Sequence, residues 1–195
     1  GCGRMKIGKL NFRTGLDETP ARIIFFGPGS IGKTTLACSA PNPLLISCED
    51  GAREFGVPTQ VYDEVKDRVV PESYAELLNT LTEIASSDMG DRESLILDGH
   101  HQIDILCQEE VVRSNSKWKS IQDPGFGKGE AEVLAKWRPI VQKLDEINRR
   151  KKMRIIITGH SQQVKFKDPE GPEYDRHDLL VTKHPKGDVA AFLFG

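Results

Sequence analysis

The sequence predicts an α/β fold of three layers, with a mainly parallel central sheet and a C-terminal β-hairpin. Three observations predict it. Short apolar runs alternate with stretches of helical periodicity along the 195 residues, the pattern of strands joined by crossover helices. The first such run leads into Gly27, Pro28, Gly29, Ser30, Ile31, Gly32, Lys33 and Thr34, which fits the G-x-x-x-x-G-K-[ST] phosphate-binding loop that joins a strand to a helix. Polar and charged residues fall at the C-terminal ends of several predicted strands, where open parallel sheets place their ligands.

Each element has its own signal. Residues 22–26 form an apolar run that reads as a buried strand, and residues 35–40 form a short helix stopped by Pro41 and Pro43. A second buried strand at 43–47 ends in Cys48, Glu49, Asp50 and Gly51, and a third short strand is expected near 60–62. Over 73–86, Tyr74, Leu77, Leu78, Leu81, Ile84 and Ala85 share one helical face. Residues 94–98 form a strand that closes on Asp98, followed by a helix over 103–113. The polar, glycine-rich stretch 114–129 reads as a long loop. A strongly amphipathic helix over 130–150 turns Val133, Leu134, Trp137, Ile140, Val141, Leu144 and Ile147 inward, with a kink expected at Pro139. The strand 154–158 runs into Gly159, His160 and Ser161, residues 163–183 read as a hairpin turning near 168–171, and a last strand is expected at 190–194. One domain is expected over 21–195, with 1–20 a lead-in that carries a tag remnant ahead of Met5.

Composition narrows the class. No run of eighteen apolar residues exists and the N-terminus has no apolar signal-peptide core. Cys2, Cys38, Cys48 and Cys107 are scattered without a C-x-x-C pair, which argues against a zinc site or a disulfide framework and points to a cytoplasmic setting. The net charge of −2 hides an uneven distribution: residues 1–110 hold 10 basic and 18 acidic side chains (−8), residues 111–195 hold 17 and 11 (+6). A basic C-terminal half suits an anionic polymer as a partner.

The phosphate loop fixes a ligand class, a nucleoside triphosphate with Mg2+. Its glycines let backbone N–H groups turn inward, Lys33 reaches the β- and γ-phosphates, Thr34 ligates the metal, and Thr35 begins the helix whose positive end faces the anion. Asp98 closes an apolar strand, the form of a carboxylate that holds Mg2+ directly or through water. Glu49 is the candidate general base, with Asp50 as its rival; neighbouring side chains at a strand end point opposite ways, so one of the two faces the nucleotide. His160 is placed to donate a hydrogen bond to the γ-phosphate.

Taken together, the phosphate loop, Glu49 on the second strand, Asp98 and a polar residue after the next long strand resemble the RecA-like ATPase core. The run Gly125, Phe126, Gly127, Lys128, Gly129, the run Thr158, Gly159, His160, Ser161, Gln162 and the segment 168–176 resemble phage-encoded nucleotide-binding proteins of the AAA/RecA type, some of which act as single-strand annealing recombinases. The resemblance runs from about residue 23 to residue 194. It implies that Glu49 activates water, that Asp98 is the Walker B aspartate, and that His160 couples γ-phosphate sensing to a DNA-binding loop. It also implies that 114–129 and 163–183 take the places of two DNA-binding loops, and that strand 154–158 lies between the strands carrying the phosphate loop and Asp98. RecA-like interfaces would make the protein a homo-oligomer, with Lys183 and Lys186 near a neighbour's nucleotide, and a phage origin would put it in the bacterial host cytoplasm.

Independent of the resemblance, Arg113, Lys117, Trp118, Lys119 and Lys128, and again Lys165, Phe166 and Lys167, combine positive charge with aromatic surface. That combination suits single-stranded DNA, whose bases stack while its phosphates are neutralised. The expected function is therefore a DNA-stimulated Mg-ATP hydrolase of phage recombination or strand annealing. The rivals are a P-loop kinase acting on a nucleotide or polynucleotide, with Arg176 its main lid candidate, and a nucleotide-gated module with little turnover.

Overall fold

In the computed structural model, which describes residues 3–14, 19–49, 55–166, 174–184 and 187–188, the first elements are β1 (Gly3–Ile7), β2 (Leu10–Thr14), β3 (Arg22–Gly27), α1 (Lys33–Cys38) and β4 (Pro43–Ser47). They are followed by α2 (Tyr74–Ser86), β5 (Ser94–Asp98), α3 (His100–Arg113) and α4 (Lys128–Arg150), and then by β6 (Arg154–Phe166), β7 (Tyr174–Leu179), β8 (Lys183–His184) and β9 (Gly187–Asp188).

The central sheet has the order β3-β6-β5-β4, all parallel, with β7 added antiparallel to the far half of β6. The last strand of the four in sequence thus lies between the phosphate-loop strand and the Asp98 strand, as the resemblance implied. Its first half pairs with β3 and β5, and at its end Phe26 faces Gly159 and Gly27 faces His160. Its second half leaves the sheet and pairs with β7 from Ser161↔Leu179 to Phe166↔Tyr174. The expected hairpin is therefore a direct continuation of a central strand.

Both faces of the sheet are covered, which is why its strands read as unbroken apolar runs rather than alternating ones. Ile46, Leu95, Leu97, Ile155 and Ile157 face the larger cluster, built with α2, α3 and α4. Leu45, Ile96 and Ile156 face the smaller one, closed by Ala37 of α1. The helical faces read from periodicity are the buried ones: Tyr74, Leu77, Leu81, Ile84 and Ala85 on α2, and Val133, Leu134, Trp137, Ile140, Leu144 and Ile147 on α4. Ser73 caps α2, accepting from the Glu76 N–H at 3.2 Å.

Three sequence expectations are corrected. The strand near 60–62 is not formed: Leu45 and Thr59 share a single bridge, where the Leu45 N–H donates to Pro58 at 2.9 Å, and the chain then turns over Asp63 and Arg68. The helix expected from 103 begins at His100, because Gly99 takes the left-handed N-cap conformation at φ 95° and lets the turn start at once. The helix over 130–150 starts two residues earlier and runs as one element through Pro139. The lead-in, for which no element was expected, holds an antiparallel hairpin, β1 against β2. The strand expected at 190–194 and the hairpin turn at 168–171 lie outside the described residues.

The loop 114–127 returns to the body at Trp118 and at Ile121. A Cβ on Gly129 would lie 1.7 Å from the Ile121 carbonyl oxygen, so the α4 backbone and the loop touch directly. Gly129→Ala is expected to destabilise the domain by about 2 kcal/mol or more, seen as a lower urea midpoint at an unchanged slope; an unchanged midpoint would refute the contact.

Candidate nucleotide site

The phosphate loop leaves the end of β3 and enters α1 through two left-handed residues, Ser30 at φ 60° and Gly32 at φ 84°. Serine tolerates that conformation only locally, whereas glycine adopts it without steric cost. Gly32 serves as the N-cap of α1 and no side chain caps the first turn. The Lys33 ammonium donates to the carbonyls of Gly27 at 3.2 Å and Pro28 at 2.7 Å, which hold it at the mouth of the loop.

A cleft of about 370 Å³ opens beside it, lined by Ser30, Gly32, Lys33, Thr34, Thr35, Glu49, Phe55, Asp98, Thr158, Gly159 and His160. This size falls in the range of small-molecule sites. The residues expected to bind phosphate, hold metal, activate water and sense the γ-phosphate are therefore brought to one place. Gly27, Pro28, Gly29 and Ile31 build the loop without lining the cleft.

Asp98 is buried and sits at the end of a strand with every residue buried. Its Oδ1 accepts from the Thr34 hydroxyl at 2.8 Å and from the Thr158 hydroxyl. The Thr158 hydroxyl also accepts the Gly99 N–H at 3.2 Å. A hydroxyl beside a carboxylate is a hard oxygen pair of the kind Mg2+ takes when phosphates and water complete its shell. Among the described residues no group of three or more His, Cys, Asp or Glu forms a self-contained metal site.

Glu49 reaches the cleft from the turn after β4. The Ser47 hydroxyl donates to the Glu49 carbonyl at 2.6 Å, and the Cys48 N–H donates to the Asp98 carbonyl at 2.8 Å, extending the β4–β5 pairing past the strand end. Its carboxylate lies across Gly99, where a Cβ would be 2.6 Å from Glu49 Cγ. It faces the His160 ring, with Nε2 3.3 Å from the carboxylate oxygens. Asp50, its rival in the sequence, lies outside the described residues. Cys48 is buried below, and burial, with Asp98 and Glu49 adding to it, pushes its thiol far above the ordinary range, so it is unreactive. Cys38, Cys48 and Cys107 are all free thiols.

Three lining residues, Phe55, Thr158 and Gly159, were given no site role from the sequence. Phe55 follows a segment with no periodic signal, and Thr158 read as an ordinary strand residue. His100, given no role from the sequence, is fully buried directly beneath the site. A Cβ on Gly159 would lie 1.7 Å from its Nδ1, so the ring fills the space against the strand backbone next to His160. Neither ring nitrogen closes a well-formed hydrogen bond. Burial pushes the pKa down to about 4, His101 adds to this, and Asp104 and the backbone of Thr158 and Leu180 oppose it more weakly.

Of the expected DNA-contacting residues, Arg113 ends α3, Lys117, Trp118 and Lys119 lie in the long loop, Lys128 begins α4 and Lys165 lies on β6. Lys117, Lys119, Lys128 and Lys165 are exposed. Arg113 is tied to Glu110, with Nη2 2.6 Å from Oε2. Trp118 packs against the larger core cluster, so its ring pins the loop rather than standing free. Phe126 is the fully exposed aromatic, held at φ 52° between Gly125 and Gly127, which are also left-handed. Lys183 pairs with Asp178 at 3.2 Å. The Phe166 side chain, Lys167 and Lys186 lie outside what is described. No helix of the described residues is long and apolar enough to cross a membrane.

A family model described as an AAA domain matches residues 19–189 of the chain. No curated protein matches it.

Buried His100 is expected to make the domain acid-sensitive. Its folded pKa of about 4 lies below the ordinary histidine value of 6.5, so the unfolded chain binds the extra proton first. Its contribution is complete above about pH 6.5 and falls as pH drops, reaching a loss of roughly 3 kcal/mol near pH 4. Urea midpoints measured from pH 7 to pH 4 are expected to fall less steeply in His100→Gln than in the parent; parallel curves would refute the assignment.

Proposed function

This chain belongs to the AAA domain family, and we propose that it is a hydrolase of Mg-ATP whose nucleotide state governs a grip on single-stranded DNA, in phage recombination or strand annealing. The observation that carries the reading is the meeting of Lys33, Thr34, Asp98, Glu49 and His160 around one cleft. The resemblance to RecA-like ATPases supports ATP as the nucleotide, DNA as the polymer and RecA-like interfaces between copies.

The residues divide the work. Backbone N–H groups of the loop and the Lys33 ammonium take the β- and γ-phosphate charge. Mg2+, held by Thr34 and Asp98, would neutralise the charge that develops on the bridging oxygens. Glu49 accepts a proton from the attacking water as the new P–O bond forms and the bond to the β-phosphate breaks. His160, across from Glu49 at 3.3 Å, donates its ring N–H to the γ-phosphate. Gly99 is part of this machinery because a side chain there would collide with Glu49.

For DNA, exposed Phe126 with neighbouring Lys128 offers a stacking ring with a cationic flank, and Lys165 on the hairpin offers a further exposed cation. A large residue at positive φ is a strained arrangement, and such strain is found where a side chain is presented for a purpose.

Glu49→Gln is expected to lower phosphate release about 100-fold or more while the affinity for a fluorescent ATP analogue stays within about twofold. Unchanged release would remove Glu49 from the role. A fluorescent oligothymidylate is expected to bind with an affinity that falls steeply as salt rises, and Phe126→Ala is expected to weaken it roughly tenfold. An affinity indifferent to salt and to Phe126 would refute the DNA surface.

A further inference from the structure

Asp104 lies on α3, six residues beyond Asp98, and is 1% exposed. Among the described residues it meets four donors and no cation. Its Oδ1 accepts from Trp137 Nε1 at 2.8 Å. Its Oδ2 accepts from the Thr182 N–H at 2.9 Å, from the Thr182 hydroxyl at 2.7 Å and from Gln108 Nε2 at 3.1 Å. Gln108 Nε2 also donates to the Thr182 hydroxyl at 3.0 Å. A buried carboxylate is costly unless its lone pairs are met, and one satisfied wholly by neutral donors is a directional tether.

What it tethers is the return of the β6–β7 hairpin. Thr182 follows β7, and two residues earlier the Leu180 N–H donates to the His160 carbonyl at 3.0 Å. Along the hairpin itself, Gln163, Lys165, Asp175 and His177 are exposed. A continuous path thus runs from Asp104 to Thr182, Leu180, His160 and Glu49. Its other end is α3, which begins two residues after Asp98 and buries His100 against Gly159.

We propose that Asp104 is a positioning residue that couples the phosphate cleft to the hairpin: it locks the chain at 180–182 to α3, so that occupancy of the cleft and the setting of the hairpin change together. The coupling rests on the hydrolytic reading above, because it assigns His160 to the γ-phosphate. Asp104 touches neither nucleotide nor metal. It acts through the backbone bond that holds His160 and through the rigid start of α3.

The test compares the parent with Asp104→Asn and Thr182→Val. Asp104→Asn sets an amide against the tether's donors, and Thr182→Val removes the hydroxyl but keeps the N–H. In the parent, addition of a non-hydrolysable ATP analogue with Mg2+ is expected to slow hydrogen exchange at amides 161–166 and 174–179 at least threefold. In both variants that slowing is expected to vanish. Phosphate release is expected to fall about tenfold in kcat, with the Kd for a fluorescent ATP analogue within about twofold of the parent.

A tether that served stability alone would lower the unfolding midpoint yet leave nucleotide-dependent exchange and kcat intact, and that result overturns the proposal. Exchange in the parent that ignores the nucleotide overturns it as well. If Asp104→Asn does not fold, Thr182→Val decides by the same two readouts. If the parent binds nucleotide without releasing phosphate, the hydrolytic reading fails while the exchange comparison still decides the coupling.

Discussion

Asp98 ends a strand that is buried along its whole length, and its carboxylate is itself 5% exposed. An anion in that position must find donors or lose much of its solvation. It finds them in Thr34, on the first turn of α1, and in Thr158, on the central strand. Three segments far apart in the chain are thereby fastened at one carboxylate, and the phosphate loop, the strand that leads to His160 and the start of α3 take their places from it. The parallel register does the rest. With Ser47 opposite Asp98 and Gly27 opposite His160, the cleft is floored by strand ends that pairing alone brings level.

Close approach is the second constraint. Gly99 gives Glu49 room to lie across the chain, and Gly159 gives the His100 ring its place under β6. Gly159 serves for the absence of a Cβ where another side chain needs the volume, and Gly99 does so in addition to its left-handed N-cap turn. The site is therefore supported from below by packed groups, which leaves Lys33, Glu49 and His160 facing the cleft with restricted freedom.

Much of this was legible in the sequence. The phosphate loop is a local pattern with a local mechanism, and strands buried on both faces announce themselves as apolar runs. The faces of α2 and α4 follow from a period of 3.6 residues. Asp98 and Glu49 were legible because a residue just past a buried run must lie at a sheet end. Less legible were features that depend on what lies opposite. Trp118 and Phe126 are both aromatics in one glycine-rich loop, and nothing local distinguishes the ring that packs on the core from the one that faces solvent. The bridge at Thr59 is held by one edge residue of β4 instead of a ladder, so an apolar pair near 61 was a poor guide. The hairpin of β1 and β2 has a weak signal because its residues do not alternate cleanly.

Local covalent logic thus carried the ligand class and the order of layers: a glycine loop curls the same way wherever it is placed, and apolar runs must pair or be covered. The burial of His100 and the tether of Asp104 are different in kind. Both residues sit in a helix whose polar members look like surface from its sequence, and α3 has little hydrophobic asymmetry to betray its inner face. They become interior only when β6 and the segment 180–182 close over α3. That closure joins residues about eighty positions apart, and no pattern within either stretch carries the information about the other.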